Sequence, residues 1–302
     1  MYSSSPLVTV LMSVYNGEKY LPETIESILN QTFTNFEFLI IDDGSSDNSI
    51  KIIESYDDPK IRLICNDENI GQTKTLNKGI KLAKGNFIAR SDQDDISSSN
   101  RLSIQYNYLN NNPNVALLGS SVYFINNNGS LLYKKQVPTG HNHIMESFCA
   151  GNPFMHSSVM FNRDVVMKLD GYSPRYIYSQ DADLWLRIAR IREIENLKSF
   201  LVSIRVHRDQ VINNFTFNKL RYKEASKIYY RISKLKYLSK ESGIISNFAT
   251  LYYQFRLNKT IKLFFVLILF LINNVHVIFR NKYILKIFKE KIIRNQSLKN
   301  RE

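Results

Sequence analysis

Two apolar runs in this chain end in clusters of carboxylates. Phe36-Glu37-Phe38-Leu39-Ile40-Ile41 leads into Asp42-Asp43-Gly44-Ser45, and Gly85-Asn86-Phe87-Ile88-Ala89-Arg90-Ser91 leads into Asp92-Gln93-Asp94-Asp95. An apolar run that closes on charge reads as a buried strand delivering its polar end to the rim of a sheet. In open α/β sheets that rim, at the carboxyl ends of the strands, is where ligands bind. Crowded carboxylates repel one another unless a cation or a hydrogen-bond donor compensates. The pair of clusters therefore points to a divalent metal and a nucleotide.

The pattern around the clusters agrees with such a sheet. Val8–Ser13, Phe36–Ile41, Ile61–Cys65 and Phe87–Ser91 are β-rich runs. Between them lie segments of helical spacing: Leu21, Ile25, Ile28 and Leu29, then Ser49–Tyr56, then Thr73–Ala83 with Leu76, Ile80 and Ala83 on one face. Repeated β–α alternation implies an α/β fold with a mainly parallel central sheet flanked by helices. Alternation is less regular afterwards. Arg101–Leu109 reads as a helix, Val115–Phe124 as a strand, and Asn126-Asn127-Asn128-Gly129 as a turn into Leu131–Lys134. Ser157–Phe161 reads as a strand, Val165–Leu169 and Asp183–Ile191 as helices, and Ser203–Val206 as a last strand.

Charge divides the chain. Residues 1–199 carry 19 Lys/Arg against 22 Asp/Glu, whereas residues 200–302 carry 21 against 5, a balance of +16. A basic zone can meet nucleic acid, anionic lipid or an acidic substrate. Lys219–Lys240 reads as a basic amphipathic helix with Tyr222, Ile228, Tyr229, Ile232 and Leu235 interleaved. Leu263–Ile272 is wholly apolar and the uncharged stretch reaches Phe279, before a basic tail Lys282–Arg301. A bilayer span takes about 20 apolar residues, so this stretch sits at the lower limit; a buried helix and a span both remain open. The tail has no base-reading motif, and its apolar content suits lipid better than nucleic acid. Cys65 and Cys149 are the only cysteines, which excludes a disulfide framework or a cysteine zinc site, and both are expected to be buried thiols. Met1–Pro6 has no basic region followed by an apolar one, so no secretory signal is read and the chain is placed on the cytoplasmic side.

Four segments, in order and correctly spaced, carry a family resemblance: Val10-Leu11-Met12-Ser13-Val14-Tyr15-Asn16-Gly17, Ser27-Ile28-Leu29-Asn30-Gln31-Thr32, Ile41-Asp42-Asp43-Gly44-Ser45-Ser46-Asp47 and Asp92-Gln93-Asp94-Asp95. Together they closely resemble the family-2 glycosyltransferases with the GT-A fold, from about Pro6 to about His207. The resemblance implies a catalytic domain over 1–215, its nucleotide-sugar half about 1–97 and its acceptor half about 98–215. Residues 216–302 would then form a basic, partly apolar helical extension that associates with the inner face of the cytoplasmic membrane.

The same resemblance implies roles. Asp43 would accept the N3–H of a uracil-type base, with Asp42 its structural neighbour, and a carboxylate, which only accepts, suits such an edge. Asp-Asp-Gly-Ser is also a common turn and helix cap. Tyr15, Glu18, Asn69, Gly71, Asp92 and Gln93 would lie along the nucleotide, Asp92 at the ribose. Asp94 would ligate Mg2+ or Mn2+ bridging the diphosphate, with His207 as a further ligand; hard cations favour oxygen donors. Asp95, His156, Gln180 and Trp185 would stand on the acceptor or substrate side. Arg90 could contact phosphate or lie at the surface. Asp181 would be the general base, unless it or Asp183 only caps its helix. Gln180 stands where the family usually has Glu. The Gln-x-x-Arg-Trp motif of polymerising relatives is absent, which favours transfer of a single sugar.

The expected activity is thus transfer, with inversion, of one sugar from a nucleotide-diphosphate sugar, a UDP-sugar first, to a glycan or lipid-linked acceptor in cell-surface polysaccharide synthesis. The alternatives are a non-catalytic nucleotide-sugar or glycan-binding module and, on the same fold, a retaining transferase. No nucleic-acid partner is expected.

Overall fold

Val8–Val14 (β1) and Phe36–Asp42 (β2) are buried almost throughout, so both of their faces must be covered. The computed structural model describes residues 6–207 and 218–234, with scattered residues between 243 and 254. On one face Val8, Val10, Met12 and Val14 pack with Leu21, Ile25 and Ile28 of Leu21–Leu29 (α1), Ile53 of Ser49–Glu54 (α2), and Leu102 and Leu109 of Arg101–Asn111 (α4). On the other face Leu11 meets Gln72–Leu82 (α3) at Gly79, where an added Cβ would lie 2.3 Å from Leu11 Cδ1. Glycine lets this helix lie flat on the strand.

Ile61–Cys65 (β3) and Phe87–Ser91 (β4) complete a parallel set in the order β3-β2-β1-β4. Its carboxyl ends share one edge. Val14, Asp42 and Ser91 finish their strands there, and the strand order reverses between β1 and β4, the position where open sheets bind ligands.

Beyond β4 the sheet is mixed. Ile96–Ser97 is β5, Val115–Ile125 β6, Leu131–Lys135 β7, Met160–Asn162 β8 and Glu193–Arg205 β9. The order continues β4-β8-β6-β9-β5, with β7 also on β6. Here β8 runs antiparallel to β4 and β6, β7 to β6 and β5 to β9, while β6 and β9 are parallel. The parallel character read from sequence belongs to the first four strands.

Other local differences have physical causes. The segment read as a strand over Ser157–Phe161 opens with a tight turn, His156–Ser158, before the three-residue β8. The last strand is far longer than Ser203–Val206, because β9 follows the long β6 through several register shifts. Arg163–Lys168 (α6) is capped by Asn162, whose Oδ1 accepts from Val165 N–H at 3.0 Å. Gln180–Ile188 (α7) begins three residues earlier than read. Cys65 is exposed, at the sheet edge, while Cys149 is buried.

The described residues belong to two units. One lies within Met1–His141 and Phe154–Asn213, and the other within Asn142–Pro153 and Asn214–Glu302. His141–Ser147 (α5) spans the join; the second unit also holds the turn Phe148–Ala150 and Asn218–Ser233 (α8), with Ile228 and Ile232 buried. No described helix is long and apolar enough to cross a membrane. Leu263–Phe279 and the tail Lys282–Arg301 lie outside the described residues.

Candidate active site

The loop after β1 is fastened to the loop after β2. Asn16, at φ 49, accepts Ser46 N–H on its Oδ1 at 2.8 Å, and its own N–H donates to Ser45 Oγ at 3.0 Å. Gly17 N–H donates to Ser49 Oγ at 2.8 Å. Glu18 Oε2 accepts both the main-chain and side-chain N–H of Asn48, at 3.0 and 2.8 Å. Gln93, from the second acidic cluster, spans the gap to Tyr15: its Oε1 accepts Tyr15 N–H at 2.8 Å and its Nε2 donates to Tyr15 O at 3.2 Å. Glu18 and Gln93, expected along a nucleotide, thus also hold these loops together. The Tyr15 ring remains exposed.

Asp42 and Asp43 divide in function. Asp42 is fully buried, and its Oδ1 accepts Gly44 and Ser45 N–H at 3.1 and 2.8 Å, closing the turn. Asp43 is 3% exposed. Its Oδ1 accepts from Thr75 Oγ1 at 2.7 Å, Asn66 Nδ2 at 2.8 Å and Ile70 N–H at 3.1 Å. Its Oδ2 accepts Gly71 N–H at 2.9 Å. Lys78 Nζ donates to Asn66 Oδ1 at 2.6 Å and so sets which end of that amide faces Asp43. Gly71 has φ +87, which a side chain rarely adopts, and no atom lies within 4 Å of where its Cβ would be. Asn69 Oδ1 shares the Gly71 N–H at 3.0 Å. Oδ2 thus keeps capacity to accept a further donor.

The second cluster is a knot of charge. Ligand oxygens of Asp92, Asp94 and Asp95 lie within 4.8 Å of one another. Asp92 pairs with Arg90, which is 1% exposed and therefore not a surface residue. Burial works against the Arg90 charge, yet Asp92 beside it holds the guanidinium above its ordinary pKa. Burial pushes Asp92 up against the pull of Arg90, and the Asp94 charge adds to that push. Asp95 is raised well above its ordinary value, by burial and then by Asp94 and Asp92, although Ser157 and Arg205 N–H hydrogen-bond to it. His207 Nε2 lies 2.8 Å from Asp94 Oδ2, and its ring packs 5.1 Å from that of Tyr20.

Two further buried arginines support the knot. Arg101 donates to Arg90 O at 2.8 Å, Val159 O at 3.2 Å, Ser97 Oγ and Gln105 Oε1, and burial lowers its pKa to about 9. Arg205 donates to Asp94 O at 3.2 Å and pairs with Glu23. Sequence reasoning did not single out Arg101, Glu23 or Ser157. Their only local signal is charge or hydroxyl at element ends; their contacts come from segments far apart in the chain.

Asp181 sits in the first turn of α7, whose N-cap is Ser179, so neither Asp181 nor Asp183 is the cap. Asp181 Oδ1 accepts Ala182 N–H at 2.7 Å. Burial raises its pKa to about 6, the Ala182 hydrogen bond and the Arg90 charge pull it down, and Asp92 pushes it up. Asp181 therefore shares an electrostatic neighbourhood with Arg90 and Asp92. Asp183 instead pairs with Arg187 at 2.8 Å, which ties α7 to Leu169 and Gly171 through their carbonyls.

Three expected substrate contacts turn inward. Trp185 is fully buried, against Phe154, Phe161, His156 and Tyr172, so an acceptor does not reach it. Gln180 is 6% exposed and donates to Gln72 Oε1 at 3.2 Å, bracing α7 on α3. His156 Nε2 lies 2.9 Å from Tyr172 Oη, and burial, then the Arg90 charge, holds its pKa well below the usual histidine value.

The donor set fits a hard divalent cation. It offers three carboxylates whose oxygens lie within 4.8 Å of one another, with an imidazole nitrogen against the middle one.

A parallel nucleotide-type half, an acidic strand end and a carboxylate at a helix start define a GT-A glycosyltransferase. The family model for glycosyl transferase family 2 matches residues 9–170, and the chain belongs to that family. Among its relatives, the O-antigen biosynthesis glycosyltransferase WbnJ of Escherichia coli is 33% identical over 255 residues, 82% of this chain and 95% of WbnJ. The amylovoran biosynthesis glycosyltransferase AmsE of Erwinia amylovora is 31% identical over 255 residues, 83% and 92% of the two chains. Of solved structures, S. aureus TarS in complex with UDP-GlcNAc has a TM-score of 0.63 at 17% identity, covering 82% of this chain and 72% of that one. The mannosyltransferase PcManGT from Pyrobaculum calidifontis, in complex with GDP-Man and Mn2+, has a TM-score of 0.60 at 14% identity, covering 98% and 87%.

Proposed function

We propose that the protein transfers a single sugar, with inversion, from a UDP-sugar to a hydroxyl of a glycan or lipid-linked acceptor during cell-surface polysaccharide synthesis. The observation that carries this reading is Asp181: a carboxylate raised to about 6 at the start of α7, within electrostatic reach of Arg90 and Asp92. A general base works best with a pKa near the operating pH.

Asp43 Oδ2 receives the N–H of the base, in the open space beside Gly71, and Tyr15 packs nearby. Asp92, oriented by Arg90, faces the ribose. Asp94 would hold Mg2+ or Mn2+ with help from His207, and such a cation stabilises negative charge on a departing diphosphate. Asp181 takes the proton of the acceptor hydroxyl as it attacks the anomeric carbon from the face opposite the leaving group. Holding donor and acceptor in line supplies much of the acceleration. WbnJ and AmsE, named for O-antigen and amylovoran biosynthesis, support a polysaccharide product. The +16 balance of residues 200–302 supports work at the anionic inner face of the cytoplasmic membrane.

The test is a donor screen with UDP- and GDP-sugars, each with Mn2+, Mg2+ or chelator, against lipid-linked glycan acceptors. The anomeric configuration of the product is read by NMR. Product with retained configuration would end the inverting mechanism. Donor binding without turnover on any acceptor would favour a binding module instead.

A further inference from the structure

We propose that Arg205 is a positioning residue that sets the shape of the acidic loop for cation capture. This rests on the reading that Asp94 holds a divalent cation. Arg205 is 1% exposed and ends β9, yet each of its polar groups is directed at a segment around the site. Nε donates to Asp94 O at 3.2 Å. The main-chain N–H donates to Asp95 Oδ1 at 3.0 Å. Nη1 donates to the carbonyls of Asn126 and Asn127, at 3.2 and 3.0 Å, in the turn between β6 and β7. Nη2 pairs with Glu23 in the first turn of α1, and the guanidinium carbon stands 4.5 Å from the centre of the Tyr20 ring.

His207 lies two residues further on. Residues two apart in extended chain face the same way. Arg205 thus takes the Asp94 carbonyl while His207 takes its carboxylate, so Asp94 is held at both ends by one strand terminus. Asp95 is fixed by the same strand. A planar guanidinium with five donors can serve three separate segments at once, and an ammonium cannot reproduce that fork. Asp94 and Asp95 are therefore held by a residue more than a hundred positions away, itself anchored on α1 and the turn at Asn126 and Asn127.

The experiment compares wild type, Arg205→Lys, Arg205→Met and Glu23→Gln. Mn2+ affinity is titrated by EPR in the presence of UDP, and thermal unfolding is followed by circular dichroism without metal. Arg205→Lys is expected to weaken Mn2+ binding about 10- to 100-fold, the range seen when groups that orient ligands are removed. It should raise the Mn2+ concentration for half-maximal rate in parallel. Glu23→Gln, on a half-exposed side chain, is expected to unfold near the wild-type temperature and still bind Mn2+ several-fold more weakly. Arg205→Met should be weaker again, and if it does not fold, the other two variants decide. A lower unfolding temperature with unchanged Mn2+ affinity in the folded variants would reduce Arg205 to a stabilising residue. Failure of wild type itself to bind Mn2+ with UDP would overturn the cation reading and this inference with it.

Discussion

The imidazole Nε2 of His207 lies 2.8 Å from Oδ2 of Asp94, across 113 residues of sequence. The contact joins the chain just after β9 to the loop after β4. His207→Ala is expected to lower affinity for Mn2+ about 10- to 100-fold, the range typical of lost groups around a metal ligand. Asp94→Ala should nearly abolish transfer while the fold persists. Mn2+ dependence of initial rates, beside circular dichroism of each variant, checks both. Asp94→Ala turning over at the wild-type rate would remove it from the site.

Asp181 predicts a pH profile and a stability difference of opposite sense. A general base must be unprotonated, so kcat/KM should climb with pH and level off above about 6. Asp181→Asn should cost about 10²- to 10⁴-fold in rate and remove that limb. Stability moves the other way. The folded carboxyl binds its proton more tightly than the unfolded one, whose value is near 3.8. Native stability is thus undiminished below that value, falls as pH rises toward about 6, and carries the full penalty above it. Asp181→Asn should accordingly melt higher than wild type at pH 7 and close to it at pH 4. An identical melting difference at both pH values would mean the carboxyl is not raised.

How far this site was legible depends on the range of each interaction. β3 and β4 carry compact apolar runs between turn residues, and their limits, Ile61–Cys65 and Phe87–Ser91, follow from those runs alone. β9 was legible only at its end, because Glu193-Ile194-Glu195-Asn196-Leu197-Lys198-Ser199 mixes charge with no clean alternation and takes its strand form from β6. Asp43 and Asp94 stand out by placement at strand ends. Arg205 does not, since its meaning lies in contacts with Glu23, Asp94 and Asn127, which only the folded sheet brings together. Trp185 misled for the converse reason. It was expected on the acceptor or substrate side, but the helical turn rotates it into the core.

Asp43 predicts selectivity at the base. Its Oδ1 takes three donors and its Oδ2 one, so Asp43→Asn must turn an NH2 group toward at least one N–H or O–H donor. Leaving such donors unpaired costs about 1–3 kcal/mol. The variant should melt lower, and donor KM should rise because the open acceptor beside Gly71 is lost or displaced. Calorimetric titration with UDP reads the binding loss directly. UDP binding at wild-type strength would place the base elsewhere.

Gln31 predicts a stability loss at a distance from the chemistry. Its Nε2 donates to Ser27 O and Ser98 O at 3.0 and 2.7 Å, and its Oε1 accepts Leu102 N–H at 3.0 Å. One amide therefore ties the end of α1 to the start of α4, beneath the loop that carries Asp94 and Asp95. Gln31→Leu keeps the bulk but removes all three bonds and leaves the buried Leu102 N–H without its acceptor, at about 1–3 kcal/mol, while Ser98 O keeps Arg101 N–H. Denaturant unfolding should show a lower midpoint with unchanged slope. An unchanged midpoint would mean Leu102 N–H finds another partner.

The charge of residues 200–302 predicts salt-dependent membrane binding. Seventeen uncharged positions, Leu263–Phe279, lie between basic flanks, and the segment as a whole carries +16. Basic amphipathic chain is drawn to anionic lipid and buries its apolar side chains at the interface. The electrostatic part is screened beyond about 10 Å at 0.1 M salt. Full-length protein should co-sediment with vesicles containing phosphatidylglycerol at low salt, bind phosphatidylcholine vesicles weakly, and release partly as salt rises. Apolar insertion would leave a fraction that salt does not release. Absence from the anionic vesicle pellet at low salt would remove the membrane from the proposed function and leave a glycan free in solution as the acceptor to test.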